Sequence, residues 1–152
     1  MARPQPYAAW VADMDFEVAF TLNGRDRAYG PPNSFAGTQL TLLRNDGDWR
    51  FTDSSAEAGI HVLNPATGEP MAKALGLSFA DLDRDGWIDV LVANDTVRNF
   101  LYRNRGDGTF EEVGVFEGIA YDRNGHATGA MGIDTAHYRN DETLGVVIGN
   151  FS

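Results

Sequence analysis

The sequence contains no cysteine and no apolar run long enough to cross a membrane. The first absence excludes disulfide bonds and thiolate metal sites, and the second predicts a chain that does not insert into a bilayer. Positive charge is also scarce, since 12 Lys and Arg residues stand against 22 Asp and Glu residues, for a net charge of −10. We therefore expect neither nucleic acid nor an anionic membrane as a partner.

The first residues show no secretory signal. The segment 1–6 holds one positive side chain, and no apolar stretch follows it. We nevertheless expect an extracellular, periplasmic or cell-surface location, because the acidic run described next suits a compartment where divalent cations are abundant. Any export signal would then lie on a part of the gene that is not present in this chain.

Acidic residues are concentrated in one run, Asp81–Asp89. Aspartates stand at positions 1, 3, 5 and 9 of this run, and Gly86 stands at position 6. Two carboxylates about 4 Å apart repel each other by roughly 4 kcal/mol at an effective dielectric of about 20, so a compact loop needs protons or a cation to hold them. Ca²⁺ suits oxygen donors in a flexible cage, and glycine permits the tight turn.

The pattern predicts five calcium ligands. Four are carboxylates and the fifth is the main-chain carbonyl of a tryptophan. They are Asp81, Asp83, Asp85, Asp89 and Trp87. Ile88 is expected to turn into the apolar interior and anchor the loop. The alternative is a solvated acidic turn without a metal.

This loop departs from an EF-hand after its first eight residues. An EF-hand needs a bidentate Glu at position 12, where this chain has Val92. The flanking segments 74–80 and 88–93 are rich in alternating or continuous apolar residues, which is typical of strands rather than helices. The sequence therefore predicts a calcium turn inside a β-hairpin.

Two internal matches indicate a repeat. The segment 42–53 resembles 101–112 at an offset of 59 residues, and both have an apolar pair, Arg-Asn, a Gly/Asp turn and an aromatic strand start. The segment 74–77 resembles 130–133 at an offset of 56. A period near 60 with short strands and glycine turns predicts four-stranded propeller blades, with a continuous solenoid as the alternative.

The predicted fold is all-β, a partial β-propeller of two to three four-stranded antiparallel blades. We expect 1–152 to be a single truncated propeller segment. Within it, 8–60 would be a partial blade with a long insertion loop at 23–37. The range 61–119 would be a complete repeat with the calcium loop, and 120–152 would begin the next repeat.

The second copy of the acidic loop has lost most of its carboxylates. His137 and Arg139 stand where the first copy has aspartates at positions 1 and 3, and Asp141 alone is kept. Glu142 replaces the glycine, and Gly145 replaces the last aspartate. We predict no metal there and expect Arg139 to pair with Asp141 or Glu142 instead.

These motifs resemble the FG-GAP/VCBS-type repeats of integrin-α-like β-propellers, and in particular the family related to cartilage acidic protein that carries an ASPIC/UnbV domain. That domain itself is absent from the chain. The matching segments are Gly76–Asn94, Leu101–Asn104 and Gly106–Phe110, with Tyr29–Pro31 and Leu42–Asn45 fitting an interblade insertion. The resemblance implies a larger ring of about seven blades.

The resemblance also implies a function. The expected role is a calcium-binding repeat module of a secreted or cell-surface propeller, structural or engaged with a protein or glycan, and not an enzyme. The alternative is part of a catalytic, glycan-processing propeller whose site needs further blades. Because open repeat arrays leave edges and faces uncovered, we expect the chain to self-associate.

Several other features are given structural roles. Arg105-Gly106-Asp107 is a tripeptide that integrins can recognise, but the repeat pattern places Gly-Asp-Gly at this turn in any case. Paired carboxylates outside the acidic run could serve glycoside chemistry, although turn and strand-edge roles explain them more simply. The aromatic residues are expected to fill the space between blades; they are Trp49, Phe51, Phe100, Tyr102 and Phe110.

Overall fold

The computed structural model describes residues 20–22, 24–28 and 32–151. Within these ranges the chain is all-β, with one four-stranded and three two-stranded antiparallel sheets, so the predicted fold class is confirmed at that level. The strands are β1 (Phe20–Leu22), β2 (Asp26–Ala28), β3 (Leu43–Gly47), β4 (Arg50–Asp53), β5 (Ala74–Ala80), β6 (Asp89–Asn94), β7 (Phe100–Asn104), β8 (Phe110–Glu112), β9 (Gly129–Ala136) and β10 (Gly145–Phe151).

The number of blades in the complete ring stays a prediction. The first part of the predicted partial blade, up to residue 19, lies outside the described residues. Helical structure in the described ranges is limited to a 3₁₀ turn at Pro32–Ser34, and nothing there has the length and apolarity of a membrane-spanning helix.

The four-stranded sheet runs β5-β6-β7-β8, so each strand pairs with its neighbours in sequence. The Ala80↔Asp89 pair closes the β5–β6 hairpin, and the acidic loop lies between these two residues. A second turn joins β7 to β8, where Asn104 pairs with Phe110. Both turns are therefore at the same end of the sheet, because every second connection of an antiparallel meander lies at the same end of its strands.

Strand β6 is buried on both faces. Val92 belongs to a cluster with Phe100 and Tyr102 on one side. Leu91 belongs to a second cluster with Leu101 on the other side. Alternate residues of a strand point to opposite faces, so the run Val-Leu-Val-Ala serves two cores at once. This explains why the segment is continuously apolar instead of alternating.

The β9–β10 hairpin packs against β5 at very short range. A Cβ built on Gly76 would lie 2.9 Å from the Cα of Gly132, which leaves no room for a side chain there. Beside this contact the hydroxyls of Ser78 and Thr135 are hydrogen-bonded at 3.1 Å. Ile133 of β9 adds an apolar contact to the cluster around Leu91. The two sheets are therefore layered face to face.

The preceding hairpin, β3–β4, is joined to the sheet by a short turn. Ala58 donates its N–H to the carbonyl of Ser54 at 2.8 Å, which closes a hydrogen-bonded turn, and its own carbonyl accepts from Phe110 N–H at 2.8 Å. The Tyr102 hydroxyl donates to the carbonyl of Ile60 at 2.8 Å. These bonds attach the segment that follows the β3–β4 hairpin to β7 and β8.

The segment 23–37, predicted as an insertion loop, contains β2 and the 3₁₀ turn, while residues 23 and 29–31 lie outside the described residues. Its role as an insertion between blades stays a prediction. One expectation about the aromatic residues needs correction. Trp49 does not fill space between sheets: it is 95% exposed at the β3–β4 turn, and Phe51 is exposed as well. Phe100 and Tyr102 are buried as expected. Trp49 belongs to the tight two-residue turn, which projects its side chains outward, and Phe51 lies on β4, whose residues are all exposed.

Candidate metal centre

The acidic loop is folded around its own first carboxylate. Asp81 accepts the N–H of Asp85 at 3.1 Å through Oδ1 and the N–H of Gly86 at 3.0 Å through Oδ2. Gly86 has a φ of 92°, a conformation that side chains rarely adopt, so glycine is required at this point of the turn. The run of aspartates thus encodes the path of the backbone as well as the charge.

Three of the four aspartates converge. Asp81, Asp83 and Asp89 each offer a carboxylate oxygen, and these three oxygens lie within 4.8 Å of one another. Asp89 is buried, Asp81 is half-buried and Asp83 is exposed, so the group opens from the sheet toward solvent. This is an arrangement that a small cation could bridge.

The other two predicted ligands lie outside that group. The Asp85 carboxylate accepts the N–H of Trp87 at 2.8 Å. The indole of Trp87 packs on the β7–β8 turn, since a Cβ built on Gly106 would fall 2.5 Å from its Nε1. The roles of the Asp85 carboxylate and the Trp87 carbonyl as metal ligands remain predictions.

Asp89 anchors the loop to the sheet. It is 2% exposed, and its two carboxylate oxygens accept the N–H of Leu82 at 3.0 Å and the N–H of Asn104 at 2.9 Å. The expectation that Ile88 would anchor the loop is wrong, because this side chain is 51% exposed. Asp89 points inward, so its neighbour in an extended chain points outward. The carbonyl of Ile88 instead accepts from the Asn104 amide at 3.0 Å.

A positively charged side chain lies beside the carboxylates, and the sequence pattern did not predict it. The Arg103 guanidinium is 3.1 Å from Asp83 Oδ2 through Nε and 2.6 Å from Glu117 Oε1 through Nη2. The hydrogen bond to Glu117 is the main cause that raises the pKa of Arg103. These groups, together with apolar residues, line a cavity of about 210 Å³; the lining residues are Leu82, Asp83, Asp89, Leu101, Arg103, Glu117, Ile119 and Val146.

The sequence did carry a signal for Arg103 and Asn104, because the dipeptide Arg-Asn occurs at the same place in the β3–β4 and β7–β8 hairpins. Asn45 accepts the N–H of Gly47 at 2.9 Å, and Asn104 accepts the N–H of Gly106 at 2.9 Å. The repeated asparagine therefore shapes the turn in each copy. In the β7–β8 hairpin, Arg103, the neighbour of Asn104, also reaches Asp83 of the acidic loop.

The degenerate loop is held in a different way from the one expected. Arg139 forms no ion pair among the described residues and lies over the Tyr138 ring, 5.0 Å from its centroid. Glu142 is paired across the sheets with Arg84 of the intact loop, at 3.4 Å. Asp141 accepts the N–H of Thr143 at 2.8 Å and so supports its own turn.

The tripeptide at the β7–β8 turn is engaged within the chain. Arg105 pairs with Glu111 at 2.9 Å. Asp107 accepts the Thr109 hydroxyl at 2.6 Å and the Thr109 N–H at 2.9 Å, and these two bonds, the hydroxyl bond first, lower the pKa of Asp107. Each member therefore has a local structural role at this turn.

The donor set fits a hard divalent cation. Carboxylate oxygens are the ligands that Ca²⁺ and Mg²⁺ prefer, whereas zinc sites in proteins rely mainly on His and Cys. Ca²⁺ accepts six to eight oxygens in a flexible geometry, which suits a loop whose carboxylates differ in burial. The sheet thus presents a hairpin turn able to hold such an ion.

Comparison with known proteins agrees with this arrangement of short antiparallel strands around an acidic turn. Residues 81–148 match the family model described as an FG-GAP-like repeat. The chain is also 30% identical over 100 residues to cartilage acidic protein 1 of Homo sapiens. This alignment covers 66% of the chain and 13% of that protein. The chain carries an FG-GAP-like repeat and is related to cartilage acidic protein 1, which confirms the resemblance seen in the sequence.

Proposed function

We propose that residues 81–89 bind a calcium ion, and that the ion stabilises one FG-GAP-like repeat of a propeller-type module. The observation that carries this proposal is the convergence of the carboxylates of Asp81, Asp83 and Asp89 at one end of the four-stranded sheet. A divalent cation would neutralise charges that otherwise repel one another across a few ångströms.

Asp81, Asp83 and Asp89 would hold the ion, and Asp85 with the Trp87 carbonyl would complete the set. Asp89 gives the site its link to the fold, because the same carboxylate accepts N–H groups from the loop and from β7. A carboxylate oxygen has more than one lone pair, so these bonds leave capacity for a metal. Bound calcium would therefore tie the loop to two strands.

We propose an interaction or structural role and not catalysis. Several carboxylates outside the acidic loop that could form a catalytic pair have structural partners. Asp46 pairs with Arg44 at 2.9 Å, and Glu112 pairs with Arg98 at 2.6 Å. Asp53 accepts the N–H of Ser55 at 2.9 Å. A glycan-processing site would need two carboxylates that face a common cleft at a set separation, and these residues instead support turns and strand edges.

We also place the module outside the cell, in a secreted or cell-surface protein. The support is the FG-GAP-like repeat together with the similarity to cartilage acidic protein 1, whose name refers to an extracellular tissue. Extracellular modules have calcium dissociation constants of about 10⁻⁴–10⁻³ M, which extracellular calcium can satisfy.

The test is thermal unfolding with calcium and with a chelator, combined with calorimetric titration. Calcium at 100 times its dissociation constant should add about 2.7 kcal/mol to the free energy of unfolding. Asp81→Asn should abolish the gain, whereas Asp141→Asn, which changes the one aspartate kept in the degenerate loop, should leave it intact. An equal calcium response in all three proteins would refute the site, as would no response in the wild type.

A further inference from the structure

The β7–β8 turn is hydrogen-bonded to the end of the acidic loop through a single asparagine. Asn104 donates its backbone N–H to the Asp89 carboxylate at 2.9 Å and its side-chain amide to the carbonyl of Ile88 at 3.0 Å. The side-chain oxygen of the same residue accepts the N–H of Gly106 at 2.9 Å. Asn104 thus connects the acidic loop to the turn formed by residues 105–109.

The indole of Trp87 contacts this turn directly. A Cβ built on Gly106 would lie 2.5 Å from Nε1, 2.6 Å from Cε2 and 3.1 Å from Cδ1 of Trp87. The ring therefore occupies the space that a side chain at position 106 would need. Gly106 also has a φ of 74°, a conformation that glycine adopts at little cost. The turn needs glycine at this position for two separate reasons.

The internal repeat separates these two reasons. Gly47 corresponds to Gly106 at the offset of 59 residues and has a φ of 85°. A Cβ built on Gly47, however, meets no atom of a more distant described residue within 4 Å. In the degenerate loop, Thr143 stands at the position of Trp87. Within this chain the tryptophan accompanies the full set of aspartates, and the turn that it contacts has no space for a side chain.

We propose that Trp87 is a positioning residue of the calcium site, and that its indole, resting on Gly106, holds the acidic loop in its metal-binding shape. The Trp87 N–H donates to Asp85 at 2.8 Å, and the carbonyl of the next residue accepts from Asn104. The main chain between these two bonds includes the carbonyl predicted as a ligand, so a displaced indole would shift it. The proposal rests on the proposed function and assigns a role in it to a glycine outside the acidic loop.

The coupling acts in both directions. If the shape of the turn changes the affinity for calcium, bound calcium must change the stability of the turn by the same free energy. The turn is closed by the N–H of Arg105, which donates to the carbonyl of Thr109 at 3.0 Å, and by the N–H of Thr109, which donates to Asp107 at 2.9 Å. Calcium should therefore slow the hydrogen exchange of these two amides.

Two glycines of the same turn provide a matched pair of variants for calorimetric titration with calcium. Gly106→Ala places a methyl group against the indole and should raise the calcium dissociation constant at least about tenfold, as expected for an overpacked contact. Gly108→Ala is the control, because Gly108 has a φ of 90° and its Cβ would meet no atom of a more distant described residue within 4 Å. It introduces similar backbone strain and should bind calcium like the wild type.

A double-mutant cycle tests whether the two residues act through their contact. Trp87→Ala should weaken calcium binding, and Gly106→Ala should have no further effect when added to it, because the clash is then absent. Trp87→Phe keeps an aromatic ring and should recover part of the affinity. Unfolding curves in chelator would establish which variants are folded. If Gly106→Ala is not, the comparison of Trp87→Ala with Trp87→Phe and the exchange of the turn amides decide the question.

The outcomes distinguish this proposal from the calcium site itself. Equal dissociation constants for Gly106→Ala and Gly108→Ala, or additive effects of Gly106→Ala and Trp87→Ala, would overturn the positioning role and leave the calcium site standing. Turn amides that exchange at the same rate with calcium and with chelator would do the same. A wild type that binds no calcium would refute both proposals.

Discussion

Arg84 of the intact acidic loop lies 3.4 Å from Glu142 of the degenerate loop, and the pair links the two repeats at the surface. Glu142 occupies the position that Gly86 holds in the first copy. The second loop has thus lost most of the predicted metal ligands and gained a contact with its neighbour.

The Arg84–Glu142 pair is expected to contribute little to stability. Both side chains are exposed, and exposed ion pairs are generally worth about 1 kcal/mol or less. Glu142→Gln should lower the free energy of unfolding by less than about 1 kcal/mol, with a difference that vanishes in high salt. Urea titrations at two salt concentrations would measure this. A large, salt-independent loss would show that Glu142 has a packing role instead.

Replacing Asp89 should lower the free energy of unfolding even when no metal is bound. In Asp89→Ala the N–H groups of Leu82 and Asn104 lose their acceptor, and each unsatisfied buried group costs about 1–3 kcal/mol. We expect a loss of roughly 2–5 kcal/mol in chelator, measured by chemical denaturation. Asp85→Ala is the control, because its carboxylate serves one exposed N–H within the loop. Equal losses in the two variants would contradict the anchoring role of Asp89.

Arg103 should weaken calcium binding by lying next to Asp83. Removing this positive charge in Arg103→Met is expected to tighten binding about fivefold, since a partly exposed charge pair contributes about 1 kcal/mol. Calorimetric titration would give the dissociation constants. The control is Arg105→Met, which removes a similar charge whose partner is Glu111, outside the acidic loop. Weaker binding in Arg103→Met would mean that the arginine positions Asp83 for the metal.

The buried hydroxyl of Tyr102 should contribute to the free energy of unfolding. It is buried and donates to the carbonyl of Ile60, and burial is the main cause that raises the pKa of this tyrosine. Tyr102→Phe should cost about 1–2 kcal/mol by leaving that carbonyl without its donor. The half-exposed Tyr121 supplies the control, and Tyr121→Phe should have little effect on the unfolding midpoint. A neutral Tyr102→Phe variant would show that the carbonyl finds another donor.

Lowering the pH should remove the contribution of Asp53 to the stability of the fold. The hydrogen bond from the Ser55 hydroxyl, followed by that from the Ser55 N–H, lowers the pKa of Asp53 below its ordinary value of 3.8. A carboxyl with a depressed folded pKa stabilises the fold above its unfolded pKa and loses this effect as pH falls through the folded pKa.

The corresponding experiment compares the wild type with Asp53→Asn. The wild type should be more stable at neutral pH, and the difference should shrink as pH is lowered below about 4. Unfolding curves should be recorded in chelator, so that the acidic loop does not contribute through calcium. A difference that grows toward low pH would reverse the assigned sign.

The sequence predicted the strands better than the side-chain directions. Apolar runs and Gly/Asp turns located β5, β6 and the two hairpins, because period and turn chemistry are local properties. The outward direction of Ile88 depends on which residue of the loop is the first member of β6, and a shift by one residue reverses the face. That choice is fixed by the buried Asp89, which apolar patterning does not reveal.

Long-range partners could not be read from the sequence for a similar reason. Arg103 reaches Asp83 from 20 positions away and Arg84 reaches Glu142 from 58 positions away, so both contacts depend on how the strands are layered. Spacing within the acidic run predicted four carboxylate ligands, and three of these carboxylates converge. The fourth, Asp85, accepts the N–H of Trp87, and its role as a metal ligand stays a prediction.

The hydrogen bond from the backbone N–H of Asn104 to Asp89 also offers a way to observe metal binding. A metal that draws electron density from this carboxylate would change the magnetic environment of one backbone N–H on a different strand. The Asn104 resonance in a ¹⁵N-labelled sample would then report ion occupancy from inside the sheet, without any added dye or probe.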